Sequence, residues 1–169
     1  LKALYARLRA LEPANTATDG APGAADRVQL LRLNHLRNAL EPRLRRLVRQ
    51  VLSDAHGPTG WIGPVLAAVP SERRRALAGL DADEVLNRHL LLSNVIAVID
   101  GQWGLFGKVL EQGRPLGAQV RREHLKVLLD FVNEHREDAH ARPISDADFE
   151  AVNRAIERLD AVLDGVLRG

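Results

Sequence analysis

Thirteen consecutive residues hold the densest polar chemistry of the chain: Phe131-Val132-Asn133-Glu134-His135-Arg136-Glu137-Asp138-Ala139-His140-Ala141-Arg142-Pro143. A helix turns about 100° per residue, so positions i, i+3, i+4 and i+7 share a face. Asn133, Arg136 and His140 fall on one such stripe, which runs back through Leu129 and Lys126, whereas His135 lies about 140° from His140. A guanidinium one turn from an imidazole can hold a phosphate and move a proton. Cleavage of RNA without a metal needs a base for the 2′-hydroxyl proton and a cation to offset charge on the pentacoordinate phosphate. His titrates near neutrality and Arg stays charged, so the pair suits both roles, with Asn133 orienting either the ring or the phosphate. The same residues also have a purely structural reading. His140 and Arg142 near a helix C-terminus are favoured by the macrodipole, and Glu137 and Asp138 can pair with neighbouring arginines.

Other chemistries fit less well. His135, Asp138 and His140 are metal-ligand types, but no HExxH-like spacing exists and one helix cannot bring all three to a point. No metal and no other cofactor is therefore expected. The glycines of His56-Gly57-Pro58-Thr59-Gly60-Trp61-Ile62-Gly63-Pro64 lack the Gly-Lys-Ser/Thr of a phosphate loop. No serine elbow, nucleotide fingerprint or paired-carboxylate signature stands out. His124, beside Arg121 and Arg122, could add phosphate contacts, and a solvated helix side explains these residues equally well.

The elements that would position the stripe are helical throughout. Alternating strand patterns and internal repeats are absent from the 169 residues, and Leu, Ala, Val and Arg dominate. Leu1 to Leu11 reads as a short amphipathic helix, and the Pro/Gly-punctuated stretch from Glu12 to Gly23 as a flexible connector, which together give an N-terminal unit over 1–25. The main domain then spans 26–169. Asp26 is expected to cap a helix running to about His56, with Leu33, Leu36, Leu40, Leu44, Leu47 and Val51 as its apolar stripe and a break at Pro42 near Leu40. Arg32, Arg37, Arg43, Arg45, Arg46 and Arg49 cover its other sides, read as solvated stems along the core edge in preference to a nucleic-acid groove. His56 to Pro64 reads as a loop in which Trp61 seals the core. Ser71 begins a short helix ended by Gly79. Asp81 or Asp83 caps the next helix, which is apolar nearly all round from Val85 to Ile99, carries His89 as a structural histidine, and is expected at the centre of the bundle. Trp103 and Phe106 form a second aromatic anchor. Arg114-Pro115 opens the helix that bears the polar stretch, with Val120, Leu125, Leu128 and Val132 inward, and Pro143 ends it. Ser145, with Asp146 and Asp148, starts a last helix whose stripe is Phe149, Val152, Ile156, Leu159, Leu163 and Val166. The expected fold is all-α: a bundle of about five main helices plus short ones.

Composition sets the remaining bounds. The chain is 46% hydrophobic and 27% charged, ordinary for a domain with a real core. It has no cysteine, hence neither a disulfide framework nor thiolate chemistry. No apolar run approaches the roughly 20 residues of a membrane span, so no membrane partner and a cytoplasmic setting are expected. The absence of Met points to a piece of a longer polypeptide with further domains. The net charge of +2 hides an asymmetry: residues 1–80 carry 13 basic against 6 acidic groups, and residues 81–169 carry 11 against 16. Such a split fits either a nucleic-acid-facing half or two halves with complementary surfaces.

The segment Asn133 to Pro143, followed by Ile144-Ser145-Asp146-Ala147-Asp148-Phe149 and an amphipathic helix, resembles the C-terminal part of the HEPN superfamily. The helices with Trp103 and Phe106 ahead of it resemble the Swt-type branch found in bacterial defence proteins. The resemblance extends over 27–169, with its specific part in 115–169. It implies a four- or five-helix bundle that dimerises, in which an Arg, a following polar residue and a His, in the pattern Arg-x4–6-His, meet across the dimer and cleave RNA without metal. His140 takes the place of the motif His. Four intervening residues lead back to His135, with Arg136 in the polar position; taking Arg136 as the motif Arg leaves three, and the shared face favours this second alignment. The leading expectation is a metal-independent endoribonuclease domain of a larger defence or stress protein. The alternative is a non-catalytic dimerisation or interaction module that binds nucleic acid or a partner protein, and a toxin silenced by a cognate neutraliser is a third class.

Overall fold

The computed structural model describes residues 24–112, 121–134 and 146–168. The described residues are helical and contain no strand: five longer helices are joined by short ones. The long central element, α1, spans Ala24–Gly60. Its predicted stripe holds, since Leu33, Leu40, Leu44, Leu47 and Val51 are buried, joined by Val48 and Leu52, with Leu36 at the core's edge. Two details differ from expectation. Asp26 lies inside α1 rather than capping it. Helical dihedrals are lost not at Pro42 but at Gly57, whose φ of 79° and ψ of 174° suit only glycine. A proline removes one i to i−4 bond, and the buried leucines two residues to either side, Leu40 and Leu44, one turn from each other, hold the helix across that gap.

Beyond Gly57 the expected loop is mostly helical. Pro58 to Gly60 makes one more turn, and α2 follows at Ile62–Ala67. Trp61 between them is almost fully buried, as expected. Helix α3 covers Ser71–Leu77 and stops before Gly79, which sits at φ 90°. Asp81 caps the short α4, Ala82–Glu84, its Oδ1 accepting from the backbone N–H groups of Asp83 (2.9 Å) and Glu84 (3.0 Å).

The apolar run from Val85 to Ile99 is not one helix. Val85–His89 forms a π-helical turn, Leu90 and Leu91 are extended, and α5 restarts at Leu92–Gly101. The cause is a buried cation. Arg45 of α1 donates through Nη1 to the Leu86 carbonyl and through Nη2 to the Leu90 carbonyl (2.9 Å), oxygens that an unbroken α-helix would use internally. On the far side of the break, Asn94 Oδ1 accepts from the Leu91 N–H at 3.1 Å. His89 is partly exposed, with its carbonyl receiving Arg73 and its ring 3.7 Å from Glu84.

Helix α6, Trp103–Gln112, buries Phe106 and Leu110 and leaves Trp103 half-covered. Helix α7, Arg122–Glu134, buries Leu125, Leu128, Leu129, Phe131 and Val132. Helix α8, Asp146–Leu167, buries the whole predicted stripe from Phe149 to Val166. Arg114-Pro115, Val120, Pro143 and Ser145 lie outside the described residues. The bundle is organised on α1, which packs against α2, α5, α6, α7, α8 and the π-helical turn; α5, expected at the centre, instead forms one wall of it.

The charge asymmetry is answered inside this bundle. Arg43 reaches Asp160 (2.9 Å) and Asp164 of α8, and Arg49 reaches Asp83 (2.7 Å), so basic groups of the first half meet acids of the second. Arg45 is buried rather than solvated, and Arg49 also lies 4.4 Å over the Trp61 ring. No described helix is long and apolar enough to cross a membrane.

Candidate functional site

Asn133 sits in the last turn of α7 and is half-buried. The stripe it belongs to does not continue as a polar face: Leu129, one turn back, is 1% exposed and forms part of the core. Lys126, two turns back, is exposed and bonded to Asp130. The amide therefore stands at the seam between core and solvent. Arg136, His140 and His135 lie outside the described residues, between the end of α7 at Glu134 and the start of α8 at Asp146. Both flanking helices are fixed to the bundle. Helix α7 packs on α1 and α5, and the first residue of α8, Asp146, accepts a hydrogen bond from Gln29 of α1.

The other groups considered for phosphate binding are distributed differently. Arg122 turns to Asp100 at the end of α5, with Nε 2.7 Å from Oδ1. That hydrogen bond, helped by the Arg122 and Lys126 charges, outweighs desolvation and holds the Asp100 carboxyl below its usual range, and the same contact raises Arg122. His124 is half-buried on α7. On α1, Arg43, Arg45 and Arg49 are engaged within the bundle, which leaves Arg32 and Arg46 as its exposed arginines among the described residues. Of the six arginines that the sequence suggested as solvated, two, Arg32 and Arg46, are exposed residues in the bundle.

One carboxylate is set apart by its surroundings. An oxygen of Asp160 on α8 is buried and lies 2.9 Å from Arg43 Nη1 without hydrogen-bond alignment. Burial pushes its carboxyl above the ordinary value and Asp164 adds to this, while Arg43 opposes both. The group is a structural ion pair at a helix seam. No cluster of three metal-ligand side chains exists among the described residues.

One open feature among the described residues was not anticipated. A groove of about 490 Å³ runs between the N-terminal part of α1 and the first turns of α8. Val28, Leu31, Leu36 and Phe149 form its apolar walls, and Arg32, His35, Glu150 and Asn153 its polar rim. Val28 and Leu31 are 49% and 52% exposed, although both are large aliphatics. A signal was present in the sequence: these two residues precede Leu33 and widen the apolar stripe at the start of α1. Comparison with known proteins places nothing beside this arrangement, for no family model, no curated protein and no solved structure matches the chain.

Proposed function

We propose that the chain is a HEPN-like helical domain that cleaves RNA without a metal ion, with His140 as proton acceptor, Arg136 as the cation beside the phosphate, and Asn133 in support. The observation that carries this reading is the position of Asn133. Its amide emerges half-buried at the end of α7, and the eleven residues that follow, bearing Arg136 and His140, connect two helices that are both anchored on α1. Polar groups held at the rim of a rigid core can be aimed with little loss of conformational entropy on binding. In the reaction the His140 imidazole removes the 2′-hydroxyl proton and the oxygen attacks the adjacent phosphorus. The bond to the 5′-oxygen breaks, leaving a 2′,3′-cyclic phosphate and a 5′-hydroxyl that takes up a proton from the imidazolium or from water. Arg136 offsets the charge that builds on the phosphate oxygens.

The test is incubation of the protein with total RNA in EDTA, beside His140→Ala, Arg136→Ala and His135→Ala. Cleavage that persists in EDTA, vanishes in the first two variants and survives in the third is the expected result. Loss in His135→Ala but not in Arg136→Ala would select the other alignment. No cleavage at any protein concentration would sink the ribonuclease reading.

A second reading has its own support. The burial of Arg45 and the pairing of Arg43 and Arg49 with carboxylates offset cationic surface that an RNA would need, while Val28 and Leu31 stand exposed beside Phe149. These features suit a non-catalytic interaction module. A stable dimer by light scattering without RNA cleavage or RNA binding would favour it.

A further inference from the structure

From the α1–α8 groove we infer a binding site for a small amphipathic acid. Arg32 and His35 hold its single carboxylate, and its unbranched apolar chain lies against Leu31, Leu36 and Phe149. The inference is independent of the ribonuclease reading. The ligand is identified by the polar rim, whose two sides differ in what they have left to offer. On the α8 side each polar group has a partner: Glu150 lies 3.9 Å from Arg154, and the Asn153 amide donates to Glu157 at 3.0 Å. On the α1 side Arg32 and His35 are exposed and make no hydrogen bond or ion pair among the described residues. Arginines further along α1 behave otherwise. Arg37 and Arg45 share Glu41, Arg43 takes Asp160 and Arg49 takes Asp83. The uncommitted polar capacity of the groove is therefore donor in kind, and one of the two donors is a permanent cation.

Geometry and charge narrow the class further. Arg32 and His35 stand one helical turn apart, with Cβ atoms about 5–6 Å from each other, so both side chains can reach one carboxylate. The planar guanidinium fork matches the two carboxylate oxygens. Glu150 on the opposite rim sets a limit on charge. It repels a phosphate dianion or a polyanion, whereas one carboxylate held against α1 leaves its pairing with Arg154 in place. A volume of about 490 Å³ falls within the roughly 300–1,000 Å³ of small-molecule sites, which are apolar with a few placed polar groups. From Val28 to Leu36 the wall on α1 is about 12 Å long, the reach of a medium acyl chain. A protein partner fits less well. Val28 and Leu31 are about half-exposed, and Phe149 is only 5% exposed. Two half-exposed aliphatic side chains fall far short of the roughly 800 Å² that each partner contributes to a stable interface.

Decanoate is the probe, with decan-1-ol and decylammonium as its neutral and cationic counterparts. Each is titrated into the whole protein below its aggregation threshold and followed by calorimetry. Saturable binding of decanoate to one site per chain is expected, with decanol at least about tenfold weaker and decylammonium weakest. Arg32→Ala should weaken decanoate about tenfold and leave decanol unchanged, while Arg46→Ala, at the other exposed arginine of α1, changes neither. Leu31→Asp should remove binding of both probes. Arg32, Arg46 and Leu31 are exposed, so circular dichroism and melting temperature should stay close to the parent's and any loss belongs to the groove. Equal affinity for decanoate and decanol, tighter binding of decylammonium, or no saturable binding would each overturn the inference. Decanoate binding that survives Arg32→Ala, or that falls equally in Arg46→Ala, would do the same. A ligand-free dimer by light scattering that Leu31→Asp dissociates would hand the groove to a second copy and overturn it too.

Discussion

Arg45→Ala should be among the most destabilising single substitutions in the bundle, although its neighbour Arg46 can be truncated almost without effect. The two are adjacent on α1 and indistinguishable by type, but Arg45 is 8% exposed and Arg46 is on the surface. Removing the Arg45 guanidinium strips the Leu86 and Leu90 carbonyls of their donor in the break between the π-helical turn and α5. A buried acceptor left unsatisfied costs about 1–3 kcal/mol, so the two carbonyls together come to about 2–6 kcal/mol. The Glu41 contact adds little, because that carboxylate is partly exposed and has Arg37 at 3.6 Å as a second partner. A loss of about 4 kcal/mol is therefore expected, a large share of the roughly 5–15 kcal/mol that holds a domain of this kind together. In a chain of this length it lowers the melting temperature by about 8–16 °C. Arg46→Ala should stay within about 0.5 kcal/mol. Urea unfolding followed by circular dichroism measures both, with the denaturant slope checking that the unfolding transition is the same. Arg45→Lys should recover only part of the loss, since an ammonium cannot present the planar fork that reaches two carbonyls at once. A cost below about 1 kcal/mol for Arg45→Ala would mean that water reaches the two carbonyls, and would refute the account of why the apolar run breaks there.

Two carboxylates should give stability profiles of opposite slope with pH. The Asp100 carboxyl is lowered by Arg122, so the bridge stabilises the fold above the unfolded value of 3.8 and is lost as pH falls through the folded value; Asp100→Asn should lower the urea midpoint at neutral pH and converge with the parent in acid. The Asp160 carboxyl is raised by burial, so between 3.8 and its folded value the native state holds more protons than the unfolded one and stability falls as pH rises; Asp160→Asn should remove that slope, and a midpoint difference that moves the other way across this window would count against the burial argument. Gly57→Ala should cost about 1–2 kcal/mol because a Cβ at φ 79° clashes with its own backbone even though the surrounding space is open, whereas Gly63→Ala, in α2 with equally open space, should be neutral or stabilising by up to about 1 kcal/mol. Thermal melts of the two variants side by side separate a backbone effect from a packing effect.

The contrast among the arginines explains what can be read from this chain before its fold is known. Apolar periodicity identified the buried faces of α1 and α8 residue by residue, from Leu33 to Val51 and from Phe149 to Val166, because a stripe of leucines on a long helix has one stable use. It identified neither the break at Leu90 nor the hub of the bundle. The run from Val85 to Ile99 satisfies the helical period well, and what divides it is a guanidinium brought from forty residues earlier in the chain. Local propensity carries no record of such a partner.

The candidate site shows the same limit in a form that bears on function. On period alone Leu129 and Asn133 belong with Arg136 and His140, and the stripe looks like a solvent-facing polar rail. In the fold its upstream end is core: Leu129 is closed over by the bundle and Asn133 is half-closed. Neither polarity nor period distinguishes a rail on the surface from one that climbs out of the interior, because the distinction depends on which wall α5 and α1 present to α7. The difference is chemically useful. An amide at the margin of a packed core has few rotamers and a fixed approach, which is what orienting a phosphate or an imidazole requires, whereas the same amide on an exposed face would have to be ordered on every encounter. Asn133→Ala and Asn133→Asp therefore serve as a joint measure of that position. If the amide orients the reacting groups, Asn133→Ala lowers the rate of RNA cleavage with little change in the melting temperature, and Asn133→Asp lowers it further by setting a negative charge against the phosphate. Equal rates in both variants, with the loss appearing only in thermal stability, would assign Asn133 to the core's edge and to nothing beyond it.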